Sequence, residues 1–447
     1  MRTVINHGLV IDPKNSVYEP LNIAIENGKI VELSHEVLIG DNEIDAMGMC
    51  VCPGFIDIDM HEVLTDGTTP DREIFKRMLS MGVTTGIGGN SGIGVSNPKE
   101  FLDGVDEGHP INFGMLLPHG ILRQKIGVDR YVSLENDQVE EMYEIGKKMM
   151  KDTGLLGISF GLRYVPGIDF NEMTTLGRLG QHKVISAHLR EDAKNIFNAI
   201  EEFLDLGNYV KANYVVSHIG SMAGFGQMDK ALEMLDKKRE EGINVYCDCY
   251  PYTAFSAKIG SITFDEGFLE RYNITYDKLE VMEGKYRGKR CTEEFFNTLR
   301  EEAPDTMIIA YTINEKDMEK ALSYPYTVIG SDGILNAKNI GHPRATGTFP
   351  KVLGKYSRDA KVLDLYEAIE KMTSKPAEIL GINKGNLSIG SDADITIFSL
   401  EDIRDYATFE NTELLPDGIV YVLINGEIAL ENGKIMNSNL GKSIRKF

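Results

Sequence analysis

The sequence predicts an α/β protein: a TIM-like (β/α)8 barrel with a small β-sandwich domain formed by both termini and an inserted lid. Three observations predict this fold class. Strand-like runs alternate with amphipathic stretches in the middle of the chain, both ends have hairpin patterns, and a charged, aromatic run interrupts the alternation. Strands that alternate with helices are typical of a parallel sheet, and a barrel of this kind uses about 250 residues or more.

Both ends of the chain have the pattern of β hairpins. The candidate strands are Val4–Ile11, Asn22–Ile25, Lys29–Leu33, Asp394–Phe398, Val420–Ile424 and Glu427–Leu430. Asn-Gly pairs at 27–28 and 425–426 separate alternating runs, which is a strong short-range signal for a hairpin. We therefore expect residues 1–53 and 385–447 to form one β-sandwich domain, with the barrel at residues 54–384.

The middle of the chain contains nine apolar strand candidates for eight barrel places. They are Gly54–Asp59, Thr84–Gly89, Ile111–Leu117, Gly157–Phe160, Lys183–His188, Tyr214–His218, Asn244–Asp248, Met307–Tyr311 and Thr327–Ser331. One of them must be extra or misassigned. Apolar residues at helical spacing predict helices between strands, at Gln138–Lys151 and Lys194–Leu206.

The run from about Phe255 to Ala303 interrupts this alternation. It is charged and aromatic and is long for a connecting loop, so we expect an inserted subdomain or lid over the barrel mouth.

Composition limits the partners and the location. The formal net charge of −21 argues against nucleic acid or an anionic membrane as a partner. No apolar run reaches the roughly 18 residues that a membrane span needs, and the N-terminus lacks a signal-peptide pattern, so we expect a cytoplasmic protein. The five cysteines are interpreted as buried structural thiols. A homo-oligomer is compatible with the sequence.

Several predicted strands end in residues that bind metals. These are Asp59 and His61, His188, His218 and Asp332. Histidine nitrogen and carboxylate oxygen suit zinc and similar divalent ions, which polarise carbonyls and activate water. Asp332 is the candidate to pass a proton from water to a leaving amine. For each residue alone, a hydrogen-bonded structural histidine or a turn-forming aspartate stays an alternative. His7, His35, His109 and His182 are interpreted as solvated.

A series of motifs resembles the amidohydrolase superfamily, and within it the D-aminoacylase family. The motifs in chain order are PGFIDIDMHE at Pro53–Glu62, GVTTGIGGNSG at Gly82–Gly92, SFGLRYVPG at Ser159–Gly167, HLRED at His188–Asp192, VSHIG at Val216–Gly220, DCYPYTA at Asp248–Ala254, GSDG at Gly330–Gly333, HPRATGTFPKVLGKY at His342–Tyr356, KMTSKPAEILGI at Lys371–Ile382 and GNLSIGSDADITIF at Gly385–Phe398. The resemblance covers nearly the whole chain. The first and last motifs are common to the whole superfamily, whereas the HPR, YVPG, HLR and YPY motifs occur in a much smaller group of proteins.

The resemblance implies roles for individual residues. It makes His188 and His218 metal ligands, and Asp332 a ligand or the general acid and base. It implies that Arg344, with Tyr250 or Tyr252, holds the carboxylate of the substrate, as a bidentate guanidinium can. A structural ion pair is the alternative for Arg344. Ser91 is placed with the substrate-binding residues.

The chain departs from the family pattern at three positions. Asp59 stands where the first histidine of HxH belongs, Ser91 stands where the family has a metal-binding cysteine, and Gly220 stands where a lysine often follows. A serine hydroxyl is a much poorer ligand than a thiolate. We therefore expect one divalent metal ion, zinc, held by His188 and His218 with help from His61, Asp59 or Asp332.

The leading hypothesis is metal-dependent hydrolysis of the amide bond of N-acyl-D-amino acids or a related carboxylate-bearing amide. The substrate is then a small molecule with a carboxylate. One alternative is a cyclic amide or imide hydrolase of the hydantoinase or dihydroorotase type, although no lysine stands at a convincing strand end to serve as a carboxylated ligand. Another alternative is a non-catalytic relative.

Overall fold

The computed structural model describes residues 1–68 and 72–447, and its central element is a parallel barrel. Its strands are Phe55–Asp57, Val83–Gly88, Asn112–Met115 continued by Leu117–Pro118, Gly157–Gly161, Val184–His188, Asn213–Val216, Asn244–Cys249 and Thr327–Ile329. Each pairs in parallel with its neighbour. The third strand is in two pieces because its first half pairs with the second strand and its second half with the fourth.

The barrel closes between its first and last strands. Met60 and Gly333 form a parallel bridge, and the amide of Asp332 donates to the Asp59 carbonyl at 2.7 Å. Eight strands therefore form a closed ring, and the predicted (β/α)8 fold class is confirmed. The interior is filled by buried apolar side chains, as in barrels of this size.

The extra strand candidate is Met307–Tyr311. It forms a strand at Met307–Ala310 that pairs antiparallel with Phe255–Lys258 and Leu279–Val281, outside the barrel. The expectation that one of the nine candidates is extra is thus confirmed; the sequence could not identify which one, since a short apolar run has the same composition in either sheet. The insertion thus extends beyond the predicted end at Ala303 and has a three-stranded sheet of its own.

Strands from both ends of the chain share one nine-stranded sheet. They are Arg2–Asp12, Val17–Glu26, Lys29–Ser34, Asn42–Asp45, Cys50–Pro53, Ile395–Phe398, Ile419–Ile424, Glu427–Glu431 and Lys434–Ile435. Cys50–Pro53 pairs antiparallel with Ile395–Phe398 and so joins the two ends. The strand Ser443–Ile444 lies outside this sheet and pairs in parallel with barrel strand Asn112–Met115.

The predicted hairpins at the ends are confirmed. Asn27 and Gly28 have φ of 52° and 75°, and Asn425 and Gly426 have φ of 50° and 80°. Two successive residues with positive φ are what a tight hairpin turn requires, and Asn-Gly is the pair that adopts this conformation at least cost.

The helices lie mostly between barrel strands. They are Glu73–Ser80, Pro98–Asp106, His119–Lys125, Asn136–Thr153, Phe170–Gly177, Ile196–Leu204, Ile219–Ala223, Met228–Glu240, Phe268–Tyr272, Glu293–Glu302, Glu315–Ser323, Arg344–Lys351, Leu365–Met372 and Ser374–Leu380, and a π-helical segment covers Val352–Asp359. The helix at Asn136–Thr153 begins with a capping box between Glu135 and Gln138 and ends at Gly154, in the left-handed region. Both helices predicted from periodicity are present.

Two further predictions can be compared with the structure. All five cysteines are buried and unpaired, which confirms their interpretation as structural thiols. His109 was interpreted as solvated, and this was wrong: its ring is buried, 4.3 Å from the centroid of Phe75 and 5.8 Å from that of Phe113. No helix in the described part of the chain is long and apolar enough to cross a membrane; the cytoplasmic location stays a prediction.

Candidate active site

The predicted metal-binding residues converge at the carboxyl ends of the barrel strands. His188 is the last residue of its strand, and His218, Asp59 and Asp332 follow the ends of three others by two or three residues. Nδ1 of His188 lies 3.0 Å from Nε2 of His218, and Nε2 of His61 lies 3.2 Å from Oδ1 of Asp332. The fold therefore brings together all five residues that the sequence suggested.

The donor set fits a divalent cation. Ligand atoms of Asp59, His218 and Asp332 lie within 4.8 Å of one another. Both carboxylate oxygens of Asp59 are buried and have no hydrogen-bond partner among the described residues. Burial lowers the pKa of both His188 and His218, which favours the neutral imidazole that a metal needs.

Asp59 of this donor set lies close to two further buried carboxyl groups, those of Asp57 and Asp248. Burial raises the pKa of Asp57 to about 7. Burial and the nearby carboxylates raise the pKa of Asp59 and of Asp248 well above the ordinary aspartate value. Asp248 also accepts a hydrogen bond from the amide of His218 at 2.8 Å. A bound cation would relieve the repulsion between these groups, which is a second reason why the residues fit a metal.

Asp332 is held between a histidine and an arginine. Its Oδ2 forms an ion pair with Arg344 at 2.8 Å, and its carbonyl accepts a hydrogen bond from Nε of Arg344 at 2.7 Å. Burial alone would raise the pKa of Asp332, but Arg344, His218 and His61 outweigh burial and hold it well below its ordinary value. The carboxylate is therefore ionised at neutral pH and can accept hydrogen bonds and bind a cation.

Three site residues have left-handed backbone conformations. Ser91, His218 and Asp332 have φ of 54°, 36° and 48°. Such conformations are uncommon for residues other than glycine and cluster at functional sites. Gly161 allows Ser91 to approach the fourth strand, because a Cβ there would overlap the Ser91 carbonyl. The Ser91 hydroxyl is buried and without a hydrogen-bond partner among the described residues.

The two predicted substrate tyrosines lie in different places. Tyr250 lines the site cavity, and the guanidinium of Arg344 lies 4.7 Å from the centre of its ring. Tyr252 is not among the described residues that line the cavity; its hydroxyl faces the Pro343 carbonyl at 3.4 Å and Asp405 at 3.3 Å. Only Tyr250 can therefore contact a molecule bound in the cavity.

The cavity has a volume of about 370 Å³. The predicted residues that line it are His61, Ser91, His188, His218, Tyr250, Asp332 and Arg344. The insertion contributes part of the wall through Phe255, Lys258 and Tyr272. The size is that of a small-molecule site.

Several residues of this cavity were not predicted from the sequence. Tyr164 lies with its hydroxyl 3.2 Å from Nδ1 of His188, and Arg163 forms an ion pair with Asp192. Asp192 also accepts a hydrogen bond from the Tyr272 hydroxyl at 2.5 Å. Arg163, Tyr164 and Asp192 stand just after barrel strands, within the YVPG and HLRED motifs. Their position at strand ends was the signal that could have identified them.

Comparison with known proteins shows that the chain is similar to amidohydrolases. A family model described as "Amidohydrolase family" matches residues 317–430. The chain is 27% identical to D-aminoacylase of Alcaligenes xylosoxydans xylosoxydans, over 98% of this chain and 96% of that protein. It is 23% identical to dihydroorotase of Aquifex aeolicus, over 97% of this chain and 100% of that protein.

A solved structure agrees with the sequence relatives. N-acyl-D-glutamate deacylase from Bordetella bronchiseptica, in a crystal structure with zinc and a phosphonate inhibitor, superposes with a TM-score of 0.86 at 25% identity, covering 99% of both chains. The motifs, the closed barrel, the convergent histidines and these likenesses agree. The chain thus resembles the D-aminoacylases of the amidohydrolase superfamily over nearly its whole length, and these likenesses support an enzyme that acts on carbon–nitrogen bonds other than peptide bonds.

Proposed function

We propose that the enzyme hydrolyses the amide bond of N-acyl-D-amino acids or a closely related amide that bears a carboxylate. The observation that carries the proposal is the arrangement within one cavity of His188 and His218, whose nitrogens are 3.0 Å apart, with the Asp332–Arg344 ion pair. The histidines suit a metal, and the ion pair suits acid–base chemistry beside a carboxylate.

We propose that one zinc ion is held by His188 and His218, assisted by Asp59, His61 or Asp332. When bound, zinc supplies a Lewis acid that polarises the scissile carbonyl and lowers the pKa of water. Asp332 takes the proton of the attacking water and delivers it to the departing nitrogen, which otherwise leaves poorly as an amide anion. Arg344 and Tyr250 orient the substrate through its carboxylate.

The hypothesis of a cyclic amide or imide hydrolase has less support. Among the described residues that line the cavity, the only lysine is Lys258, which lies on the insertion and not at the end of a barrel strand. Its amine forms an ion pair with Asp305 at 3.0 Å. A carboxylated lysine bridging two metals at the barrel strands therefore has no candidate in the cavity.

A substrate panel with metal analysis tests the proposal. Purified protein is loaded with zinc, its metal content is measured, and turnover is followed with N-acetyl-D-amino acids, their L enantiomers, dihydroorotate and a hydantoin. We expect hydrolysis of the D series. His188→Ala and His218→Ala should each abolish tight metal binding and activity, whereas the exposed His35→Ala serves as the matched control.

The panel also identifies the alternatives. If dihydroorotate or the hydantoin is ring-opened faster than any acyl amino acid is hydrolysed, the hypothesis of a cyclic amide or imide hydrolase is favoured. A folded, metal-loaded protein that hydrolyses no member of the panel would contradict the proposal and favour a non-catalytic relative.

A further inference from the structure

A buried arginine in the cavity wall is not used by the mechanism above. Arg163 is only 4% exposed and lines the cavity beside Tyr164. Its one ion pair within the described part of the chain is with Asp192, at 3.3 Å, and it donates no hydrogen bond to any residue that the structure describes. A guanidinium has five N–H donors, and leaving them unpaired in a buried position is costly.

Other buried arginines show how this protein normally satisfies such a group. Arg123 donates to both carboxylate oxygens of Glu172 and to the carbonyls of Asp129 and Val132. Arg77 donates to a carboxylate oxygen of Glu73, to the Thr346 hydroxyl and to the Asn339 carbonyl. Arg163 lacks such hydrogen bonds to the described residues, and unlike the other two arginines it lies in the wall of the substrate cavity. Its free donors therefore point to a ligand.

Asp192 cannot fully neutralise Arg163. The carboxylate of Asp192 is shared with the Tyr272 hydroxyl at 2.5 Å and with Nε of Arg271 at 3.4 Å. Glu191 also acts on Arg163 but is only half-buried, and neither acidic group accepts a hydrogen bond from the Arg163 guanidinium within the described residues. A buried guanidinium with unpaired donors favours an anionic ligand, and its planar group is well suited to a carboxylate.

The barrel topology sets Arg163 apart from Arg344. Arg163 follows the fourth strand, Gly157–Gly161, while Arg344 pairs with Asp332 just after the eighth strand, Thr327–Ile329. In a ring of eight strands the fourth and eighth lie on opposite sides of the axis. From this strand order we expect Arg163 and the Asp332–Arg344 pair on opposite sides of the cavity, so that a substrate reaching both carries an anionic group at each end.

We infer that Arg163 receives a second carboxylate of the substrate, in addition to the one assigned to Arg344. The inference rests on the proposed function and narrows its substrate class to dicarboxylates. The second carboxylate can come from an acidic amino-acid side chain or from a diacid acyl group, and the chemistry at Arg163 is the same in both cases.

Matched substrate pairs test the inference. N-acetyl-D-glutamate is compared with N-acetyl-D-glutamine for the side-chain source, and N-succinyl-D-leucine with N-butyryl-D-leucine for the acyl source. We expect kcat/KM for the charged member of one pair to exceed that for the neutral member by about a hundredfold, and Arg163→Met to remove the preference. Arg163→Lys should retain part of it. Arg190→Met is the matched control, because Arg190 pairs with Glu202, does not share Asp192 and is not among the described residues that line the cavity; it should keep the preference.

Binding measurements separate this inference from the proposed function. Thermal shifts of the zinc-loaded protein are recorded with the same compounds, so that no turnover is needed. Tighter binding of a dicarboxylate that depends on Arg163 supports the inference even if no compound is hydrolysed, a result that would overturn only the proposed reaction. Equal binding and equal turnover within both pairs, or an Arg163→Met loss of the same size for charged and neutral members, would overturn the inference.

Discussion

At the residue scale, the proposed chemistry depends on a carboxylate whose ionisation is set by its neighbours. Arg344, His218 and His61 hold the pKa of Asp332 below its ordinary value, so the group is fully charged at neutral pH. A carboxylate with a low pKa is a weaker base in isolation. It can nevertheless accept a proton while an attacking water loses one, because proton transfer and bond formation are coupled in the transition state.

Replacing Asp332 tests this role. We expect Asp332→Asn to lower kcat by at least about 10²-fold, since general acid–base assistance is typically worth 10²–10⁴-fold. Metal content should fall much less. Turnover, bound metal and melting temperature are measured on the same preparation. If Asp332 were only a turn residue, the melting temperature would fall while turnover per folded molecule stayed within a few-fold of wild type.

Replacing Ser91 tests the number of metal ions. Its hydroxyl is buried, unpartnered among the described residues, and in the position where the resemblance places a metal-binding thiolate. We expect Ser91→Cys to raise the metal content from about one to about two ions per chain, because a thiolate is a strong zinc ligand. Ser91→Ala is the control and should leave the content unchanged. Two ions already bound by the wild-type chain would contradict the single-ion model.

At the element scale, the insertion is tied to the barrel by a few polar contacts. The Tyr272 hydroxyl donates to Asp192 at 2.5 Å, while Phe255 and Lys258 line the cavity. A hydrogen bond to a charged group contributes about 1.5–3 kcal/mol. The contact therefore joins the insertion to the wall that carries Arg163, and we expect it to favour a closed insertion.

Limited proteolysis tests this coupling. We expect Tyr272→Phe to increase cleavage within residues 255–310 by about tenfold, because loss of a charged hydrogen bond favours local opening. Tyr276→Phe is the matched control, since that tyrosine lies in the same insertion and its hydroxyl makes no hydrogen bond to the described residues. A ligand that binds the cavity should protect the wild-type chain. Cleavage that responds neither to the ligand nor to Tyr272→Phe would contradict a closing role.

The elements also differ in how well they could be predicted from the sequence. Hairpins with Asn-Gly turns and strands ending in histidine or aspartate are local patterns, and the structure has them where they were predicted. The strand at Met307–Ala310 was not assignable, because its apolar composition fits either a barrel strand or an antiparallel sheet. The contact of Asp192 with Tyr272 joins residues 80 positions apart and depends on where the insertion packs. The roles of the individual site residues stay predictions.

At the scale of the whole molecule, charge is distributed unevenly. The chain carries a formal net charge of −21, yet its cavity contains Arg130, Arg163, Lys258 and Arg344 against Asp192 and Asp332. The acidic exterior opposes the approach of an anionic substrate, whereas the cavity attracts it. The rate of substrate capture is therefore expected to rise with added salt, since screening weakens the repulsion over distances beyond about 10 Å.

Whole-molecule stability should respond to acid through His109. Burial lowers the pKa of His109 from 6.5 to about 4. Between these values the unfolded chain binds a proton that the folded chain does not, so the free energy of unfolding falls as pH falls from about 6.5 to about 4.

Replacing His109 tests this dependence. At pH 5 the loss from this residue is about 2 kcal/mol, at 1.36 kcal/mol per pKa unit. His109→Phe fills the aromatic cluster but loses the hydrogen bond to the Ile111 carbonyl, a loss that is the same at every pH. We expect the variant to have a smaller difference in unfolding free energy between pH 7 and pH 5 than the wild-type chain. An unchanged difference in denaturant titrations would contradict the assignment.

The strand at Cys50–Pro53 is completed by a partner that lies far along the chain. Cys52 donates to the carbonyl of Thr396, 344 residues later. Ribosomes add about 5–20 residues per second, so this edge stays without its partner for roughly 20–70 s of each synthesis. A buried strand left open for so long can pair with the same strand of a neighbouring nascent chain. We therefore expect the yield of native protein to depend partly on the speed of translation, although the native structure contains no record of that speed.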